Sequence, residues 1–557
     1  MLMDDFSKML AHMPLDPEVH VKKSLFGTKS CNSGYVFGVH HALAYLTRDL
    51  TREQAIQKLE DYVEAHLIQF PYKPCSKKIR NDQQEIQPTA KGFAYLQDWF
   101  WVHCKQVSPD LHEQISQAII SPYNSLSLIR LERCSTGRIK LSTGLSIVLW
   151  SRILGTCPNV FEFKDSSVVL SQADSSSNSS QKTMANSDYV LKPSNPLNPL
   201  GVSVDNIMNR EHCDWDQIVS PYSRNQKHPN STNISQYWNN NGVLFFKDLR
   251  FIQRPSSKLC STSEYTIDYV LSGRALWQWI MDCTTAETKS EASAIARFLI
   301  HNGFLKIIED FVVDALAIPS STGGDLSASS LYRITYRGAR LCPWEDFLST
   351  EDYRDDVEAG IAKRCQTQSL SKNDNKTVTS PWDWESVTYP RAKMDEAFEN
   401  CFNFRTINQD PGMRLLLRED LIRNHCRETL EFLDFSSIVI GYIKKKFPWK
   451  ILIMHIKDLK EIFLETTAPM QINISGETTK NLIELCDVAI AGIEKKTDNW
   501  SDSFIRCLDN ARQYCEFLLN QSVISLSNHE FLEIPDFRQY IVSRYGSLPA
   551  PISMTEV

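Results

Sequence analysis

From Asp410 onward, apolar residues recur three and four positions apart in five successive stripes, a pattern whose natural outcome is an antiparallel helical bundle. Asp410-Pro411 opens the first stripe. Asp suits the N-cap, and Pro suits the first helical position, where its missing N–H costs nothing. Met413, Leu416, Leu417 and Leu421 follow on one face. The segment from Glu428 to Ile443 is apolar nearly all round (Leu430, Phe432, Leu433, Phe435, Ile438, Val439, Ile440), which predicts a helix in the middle of the bundle. Leu452, Ile456, Leu459 and Ile462-Phe463 make a third stripe, and Leu482, Cys486, Ala489 and Ile493 a fourth. Ile505, Leu508, Ala511, Cys515 and Leu518 make the fifth.

A chain of 557 residues is too long for a single core. Two polar stretches divide it. The first is dense in Ser, Asn and Gln around Asp174–Ser180 and continues through Pro193, Pro196 and Pro199; the second, Thr367 to Thr379, ends at Pro381. Neither can bury enough apolar surface to order itself, so both are expected to be linkers. The net charge of −7 offers no basic surface of the kind that displaces counterions from nucleic acid, although Lys444, Lys445 and Lys446 form a local basic cluster. Asp4, Asp5 and Lys8 interrupt any apolar core of a secretory signal. No stretch approaches the ~20 apolar residues of a spanning helix, so membrane contact is expected to be peripheral. The fifteen cysteines contain no C-x-x-C pair, which speaks for reduced thiols in the cytoplasm and against a zinc or redox motif.

The regions flanking the first linker repeat one another. Leu276, Trp279 and Ile280, then a polar loop and Ser290-Glu291-Ala292, lead to Ala296, Leu299, Ile300, Gly303, Phe304 and Leu305. Ala42, Tyr45 and Leu46, then Ala55, Leu59, Tyr62, Val63, Leu67 and Ile68, occur in matching order. Each block is expected to hold two amphipathic helices and then a strand pair, the later pair at Leu305–Ile308 and Leu331–Tyr336 about a Gly323-Gly324 turn.

The later block resembles a DEP domain through Gly273…Leu276…Trp279-Ile280, Ser290-Glu291-Ala292, Asn302-Gly303-Phe304 and Leu331-Tyr332-Arg333. The C-terminal bundle resembles an RGS domain. Asp410-Pro411-Gly412-Met413-Arg414, Cys426–Phe432, Ile462-Phe463-Leu464-Glu465, Gln471-Ile472-Asn473-Ile474-Ser475 and Leu508-Asp509…Leu518-Leu519 follow that family's order. Trp382-Asp383-Trp384 and Tyr389-Pro390-Arg391-Ala392-Lys393 resemble its fungal subgroup, the FlbA-type developmental and pheromone-desensitising regulators with two DEP domains before one RGS box. The expected fold class is therefore multidomain and mainly α: two α+β winged-helix-like DEP domains followed by an all-α RGS bundle. Residues 1–165 form an N-terminal DEP-like domain with extra helices, 166–239 a linker, 240–348 the second DEP domain, 349–384 a linker and 385–545 the RGS domain.

The resemblance implies a regulator that binds the α subunit of a heterotrimeric G protein and accelerates its GTP hydrolysis, terminating receptor signalling. It implies no active site, cofactor or metal of its own, and the sequence offers no nucleophile–base pair, metal cluster or phosphate-cradling loop. The DEP domains would bring it to a receptor cytoplasmic tail or anionic membrane, hence a cytoplasmic protein peripheral at the plasma membrane. A winged-helix DNA-binding role is disfavoured by the acidic balance. By resemblance, Glu428, Thr429, Asn473, Leu518 and Ser525 fall at Gα-binding positions. Alternatives for the residues themselves are a first-turn Glu favoured by the helix dipole, a turn-forming Asn and a core Leu. The pattern also departs from the family. Thr429 replaces the usual Asn, and Ser475 the usual Asp. The chain is one residue short near Asn520-Gln521-Ser522, leaving no counterpart of the family's Asp, and Ser525 replaces its supporting Arg. A non-catalytic adaptor with a degenerate RGS box is therefore the competing reading.

Overall fold

The internal repeat is built as two copies of one strand–helix–helix–strand–strand unit. In a computed structural model of the chain, the described residues are 2–13, 36–70, 78–103, 107–120, 128–134, 136–155, 269–308, 331–342, 344, 391–491, 500–526 and 535–546, with short strands and single residues between 158 and 267. They are mainly helical, with three small sheets, and fall into two units: Met1–Trp99 with Pro109–Lys376, and Phe100–Ser108 with Thr377–Val557.

In the first unit, α1 (Leu2–Ala11) precedes the first copy, which runs β1 (Phe37–Gly38), α2 (Val39–Leu46), α3 (Arg52–Glu64), β2 (Ile68–Gln69), β3 (Glu85–Pro88) and α4 (Ala90–His103), the last turn of which, from Phe100, is assigned to the second unit. Helices α5 (Pro109–Ile120) and α6 (Thr143–Leu154) follow. Next come strands β4 (Val160–Phe161), β5 (Val169–Leu170), β6 (Phe245–Phe246), β7 (Leu249–Gln253) and β8 (Ser263–Ile267). The second copy is β9 (Val270–Ser272), α7 (Gly273–Cys283), α8 (Lys289–His301), β10 (Leu305–Ile307), β11 (Leu331–Ile334) and α9 (Tyr336–Arg340).

In both copies the last strand lies between the other two, in the orders β1-β3-β2 and β9-β11-β10, and all these pairings are antiparallel. Phe37 opposes Ile86 as Leu271 opposes Tyr332, so Ala42, Tyr45 and Leu46 occupy the places of Leu276, Trp279 and Ile280. The strand ahead of each helix pair is additional to the strand pair expected from sequence. At two or three residues it is too short to show a period of two.

One corner recurs in atomic detail. Helices α3 and α8 both end in a left-handed residue, His66 (φ 61°) and Gly303 (φ 73°). The next N–H donates back into the helix, Leu67 to Tyr62 O at 2.9 Å and Phe304 to Leu299 O at 3.2 Å. A Thr-x-x-Gly run then grips that turn. Thr89 Oγ1 donates to His66 O at 2.6 Å and accepts from Gly92 N at 3.0 Å; Thr335 Oγ1 donates to Gly303 O at 2.5 Å and accepts from Gly338 N at 3.1 Å. A Cβ at Gly92 would collide with Leu67 O, and one at Gly338 with Phe304 O. Glycine is required here by close approach of backbone rather than by its dihedrals.

Helix α6, expected among the extra helices of 1–165, makes its contacts with the second copy. Ser146 Oγ accepts from Asn302 Nδ2 at 2.7 Å, Trp150 Nε1 donates to Gly338 O at 3.0 Å, and the Trp150 ring stacks on Phe304 with centroids 5.8 Å apart. Of the expected connector 166–239, Val169–Leu170 is described and pairs in parallel with Arg250–Phe251. The remainder, the connector 349–384, the Gly323-Gly324 turn and the Trp382–Trp384 motif lie outside the described residues.

The second unit is the helical bundle: α10 (Arg391–Cys401), α11 (Phe404–Ile407), α12 (Pro411–Arg423), α13 (Arg427–Lys444), α14 (Trp449–Leu459) running into a π turn (Lys460–Leu464), α15 (Gly476–Ile490), α16 (Trp500–Leu526) and α17 (Pro535–Tyr545). Asp410 is the N-cap expected, and it does more. Oδ1 accepts from Gly412 N and Met413 N at 2.8 and 3.1 Å, while Oδ2 accepts from Tyr540 and Tyr545 hydroxyls at 2.8 and 3.2 Å. A single buried carboxylate thereby fastens the last helix to the start of α12.

Two expectations are corrected. Helix α13 is not buried all round: Ile438 is 47% exposed, and the helix rests on the bundle through Leu430, Phe432, Leu433, Val439 and Ile440. The buried stripe of α16 is Phe504, Leu508, Ala511, Cys515 and Leu519. Ile505 and Leu518 are half-buried at its edge, and Ile493 of the fourth stripe lies outside the described residues.

Replacing Gly338 by Ala is expected to destabilise the first unit by about 1–3 kcal/mol, the usual cost of overpacking. Chemical denaturation followed by tryptophan fluorescence measures it, and an unchanged midpoint would show that the corner yields freely.

Candidate partner-binding surface of the bundle

The start of α13 is set by a sharp turn. His425 takes a left-handed φ of 56°, and Cys426 N donates to Leu421 O at 2.8 Å, so the chain leaves α12 and re-enters a helix within three residues. Ion pairs hold the two helices together: Arg414 and Arg418 reach Asp434 at 2.5 and 3.2 Å, and Arg418 reaches Glu431 at 3.7 Å. Burial pushes the Asp434 carboxyl upward, against the pull of the two guanidinium groups. Glu428 therefore sits, half-buried, in the first turn of a firmly anchored helix.

Glu428 lies within electrostatic reach of Cys515 on α16. Burial first, then Glu516 and Glu428, push that thiol up to about 12. Leu518 is three residues along the same helix and half-buried. Thr429, by contrast, is 7% exposed and lies on the buried face of α13. Ser525 is in α16, and nothing further of it is described.

Asn473 is placed by the π turn. Phe463 at that turn is 3% exposed and meets Phe432 edge-on with centroids 5.7 Å apart, one turn beyond Glu428. The backbone of the following loop hangs from the same turn, with Met470 N donating to Ile462 O at 3.0 Å and Ile472 N to Phe463 O at 3.1 Å. Ile472 is buried at 5% exposure, which leaves the next residue, Asn473, in solvent. Ser475 then caps α15, accepting from Thr478 N at 3.2 Å. Loop and helix enclose an open cleft of about 710 Å³, with Ile472, Ile474 and Ile483 in its lining and Asn473, Lys480 and Glu484 as polar members.

The structure thus links three of the five candidates. Glu428 is within electrostatic reach of Cys515, three residues before Leu518 on α16, and Asn473 is tied to the turn after Glu428 through Phe463 and Phe432. All three retain access to solvent. Sequence reasoning missed Phe463 and Ile472 as the anchors of the loop and Ile483 and Lys480 as members of the cleft. Their one signal was the Ile462-Phe463 doublet, which breaks strict helical phase. Near the short segment at 520–522, Asn520 is already committed. Its Oδ1 accepts from Phe404 N and its Nδ2 donates to Glu516 O, both at 3.0 Å.

The fold and this surface define a mainly helical protein in which a repeated strand–helix–helix unit is joined to a bundle bearing an open cleft of mixed apolar and polar lining that includes Asn473. No family model matches the chain. A curated protein, "Developmental regulator flbA" of Emericella nidulans, is 24% identical over 316 residues, 55% of this chain and 36% of that protein, so the chain covers about a third of the relative's length. The likeness is distant.

Phe463→Ala is expected to destabilise the bundle by about 3–5 kcal/mol, as a buried Phe deletion does. Asn473→Ala should stay within about 0.5 kcal/mol, being an exposed side chain. Urea titration of the two variants compares them, and an Asn473→Ala loss as large as that of Phe463→Ala would make Asn473 a packing residue.

Proposed function

We propose that this chain is a regulator of G-protein signalling that binds the GTP-loaded α subunit and speeds its hydrolysis, thereby ending the receptor's signal. The observation that carries the reading is Asn473, exposed on a loop whose neighbours Ile472 and Phe463 are buried and bonded. A partner's mobile loops would meet there a polar group held in advance. Gα already carries its catalytic Arg and the Gln that orients water, while its switch segments exchange between ordered and mobile states. A surface complementary to the transition-state arrangement lowers the barrier by differential binding, and the activator needs no acid, base or nucleophile. Glu428 and Leu518 would flank the same contact, and the isoleucine-lined cleft would take an apolar side chain of the partner. The distant likeness to the Emericella developmental regulator supports this family of roles.

The two repeated units serve as DEP domains that supply address. Holding the bundle near receptor tail or anionic membrane raises its effective concentration for Gα without new contacts at the docking surface. A peripheral, cytoplasmic-face position is also supported by the exposed Lys444, Lys445, Lys446 and Lys450 beside exposed Phe447, Ile451 and Met454.

A second reading, a binding adaptor without GTPase activation, is favoured by particular side chains. Ser475 is used as a helix cap, Asn520 is committed to α11, and Thr429 is buried. The hydrogen bonds that an Asp, Asp and Asn would offer at those places are not replaced. Single-turnover GTP hydrolysis with a cognate Gα separates the readings. Activation is expected, and Asn473→Ala should reduce it about 10- to 100-fold, the loss of one charge-assisted or buried hydrogen bond. Binding to a transition-state mimic without activation would establish the adaptor, and absence of binding to every nucleotide state would refute both.

A further inference from the structure

Lys91 opens α4 in the first copy and is 1% exposed. Its ammonium reaches the second copy, 190 residues further along the chain, where Nζ donates to Met281 O at 2.7 Å and to Ala286 O at 2.5 Å. Met281 belongs to the last turn of α7. A helix end leaves its final carbonyls without intrahelical donors and concentrates the negative end of the helix dipole, so a cation placed there answers both.

His66 adds a second attachment at the same place. Its Nδ1 lies 2.5 Å from Asp282 Oδ1, with the two side chains 12% and 8% exposed, and its ring meets the Trp277 ring edge-on at 6.1 Å. His66 and Lys91 are not independent. Thr89 Oγ1 donates to His66 O and accepts from Gly92 N, which binds the left-handed turn and the start of α4 into one rigid corner. That corner converges on a single stretch of its neighbour, Trp277 to Ala286.

The same corner exists in the second copy, but Gly303 stands where the first has His66, and its surface is occupied by α6 through Asn302–Ser146 and Trp150–Gly338. Arg337 stands where the first copy has Lys91, so both corners carry a cation, and what sets the first apart is that its Lys91 and His66 both engage the other copy, whereas the second corner is met by α6.

We propose that Lys91 and His66 form an intramolecular latch that makes the two copies one cooperative body, each the obligate partner of the other, rather than two independently opening modules. Opening the first copy then means withdrawing a buried ammonium and leaving the carbonyls of Met281, in α7, and Ala286, just after it, without that donor, so the second copy loosens at the same time.

Hydrogen exchange read by mass spectrometry on the full chain tests this, using Lys91→Met, which keeps length and removes charge. Amides of α7 and α8 are expected to exchange about tenfold faster or more, in step with those of α3, while α14 and α15 keep the wild-type rate. His66→Asn, which tolerates the left-handed turn, should give a smaller change of the same kind and decides the matter should Lys91→Met prove insoluble. Loosening confined to the first copy, with α7 and α8 unchanged, would overturn the latch.

Discussion

A loop can serve as a docking element only if its backbone is held while one side chain is left free, and the edge-on contact of Phe463 with Phe432 is what achieves this in the bundle. Phe463 seats the π turn on α13. The turn offers the carbonyls of Ile462 and Phe463 to the loop, and Ile472 fills the space beneath. Glu428 lies one turn away from Phe432 on the same helix, α13. Remove the aromatic contact and the exposed Asn has no fixed address, whatever its chemistry.

The helical character of the C-terminal third was legible because each stripe had to face one core, and burial imposes a period that survives in the sequence. What could not be read was phase. In α16 the sequence offers Ile505 and Leu518 as readily as Phe504 and Leu519, since adjacent apolar residues satisfy the same pattern; only packing against α13 selects between them. Leu518 gains functional interest from losing that contest, for it lies at the stripe's edge. Helix α13 misled in the opposite direction. Its apolar surface exceeds what its neighbours cover, so Ile438 remains in solvent. Asn473 and Glu428 are proposed as site residues through a resemblance of ordered motifs. The residues that place them were invisible, because a backbone hydrogen bond leaves no trace in side-chain type.

The repeat tells a similar story at shorter range. The register of Ala42, Tyr45 and Leu46 with Leu276, Trp279 and Ile280 was legible from apolar spacing. The Thr-x-x-Gly corner was present in the sequence twice, yet its meaning lies in the carbonyls of Leu67 and Phe304, which approach too closely for a Cβ. Lys91 is a first-turn lysine with no distinguishing neighbours in sequence. Its burial follows from an acceptor set supplied by another part of the chain, and no local pattern encodes that.

The π turn at Lys460–Leu464 carries one further consequence. A fifth residue in a turn is, in effect, a one-residue insertion into a helix, and it rotates everything downstream by about 100° relative to the preceding stripe. That rotation brings both Phe463 and Leu464 inward and presents the carbonyls from which the loop hangs. Deleting one residue there would mend the helix while swinging the Asn loop to a different bearing. The irregularity is thus a setting of angle, and relatives that lack it would have to aim the same loop by other means.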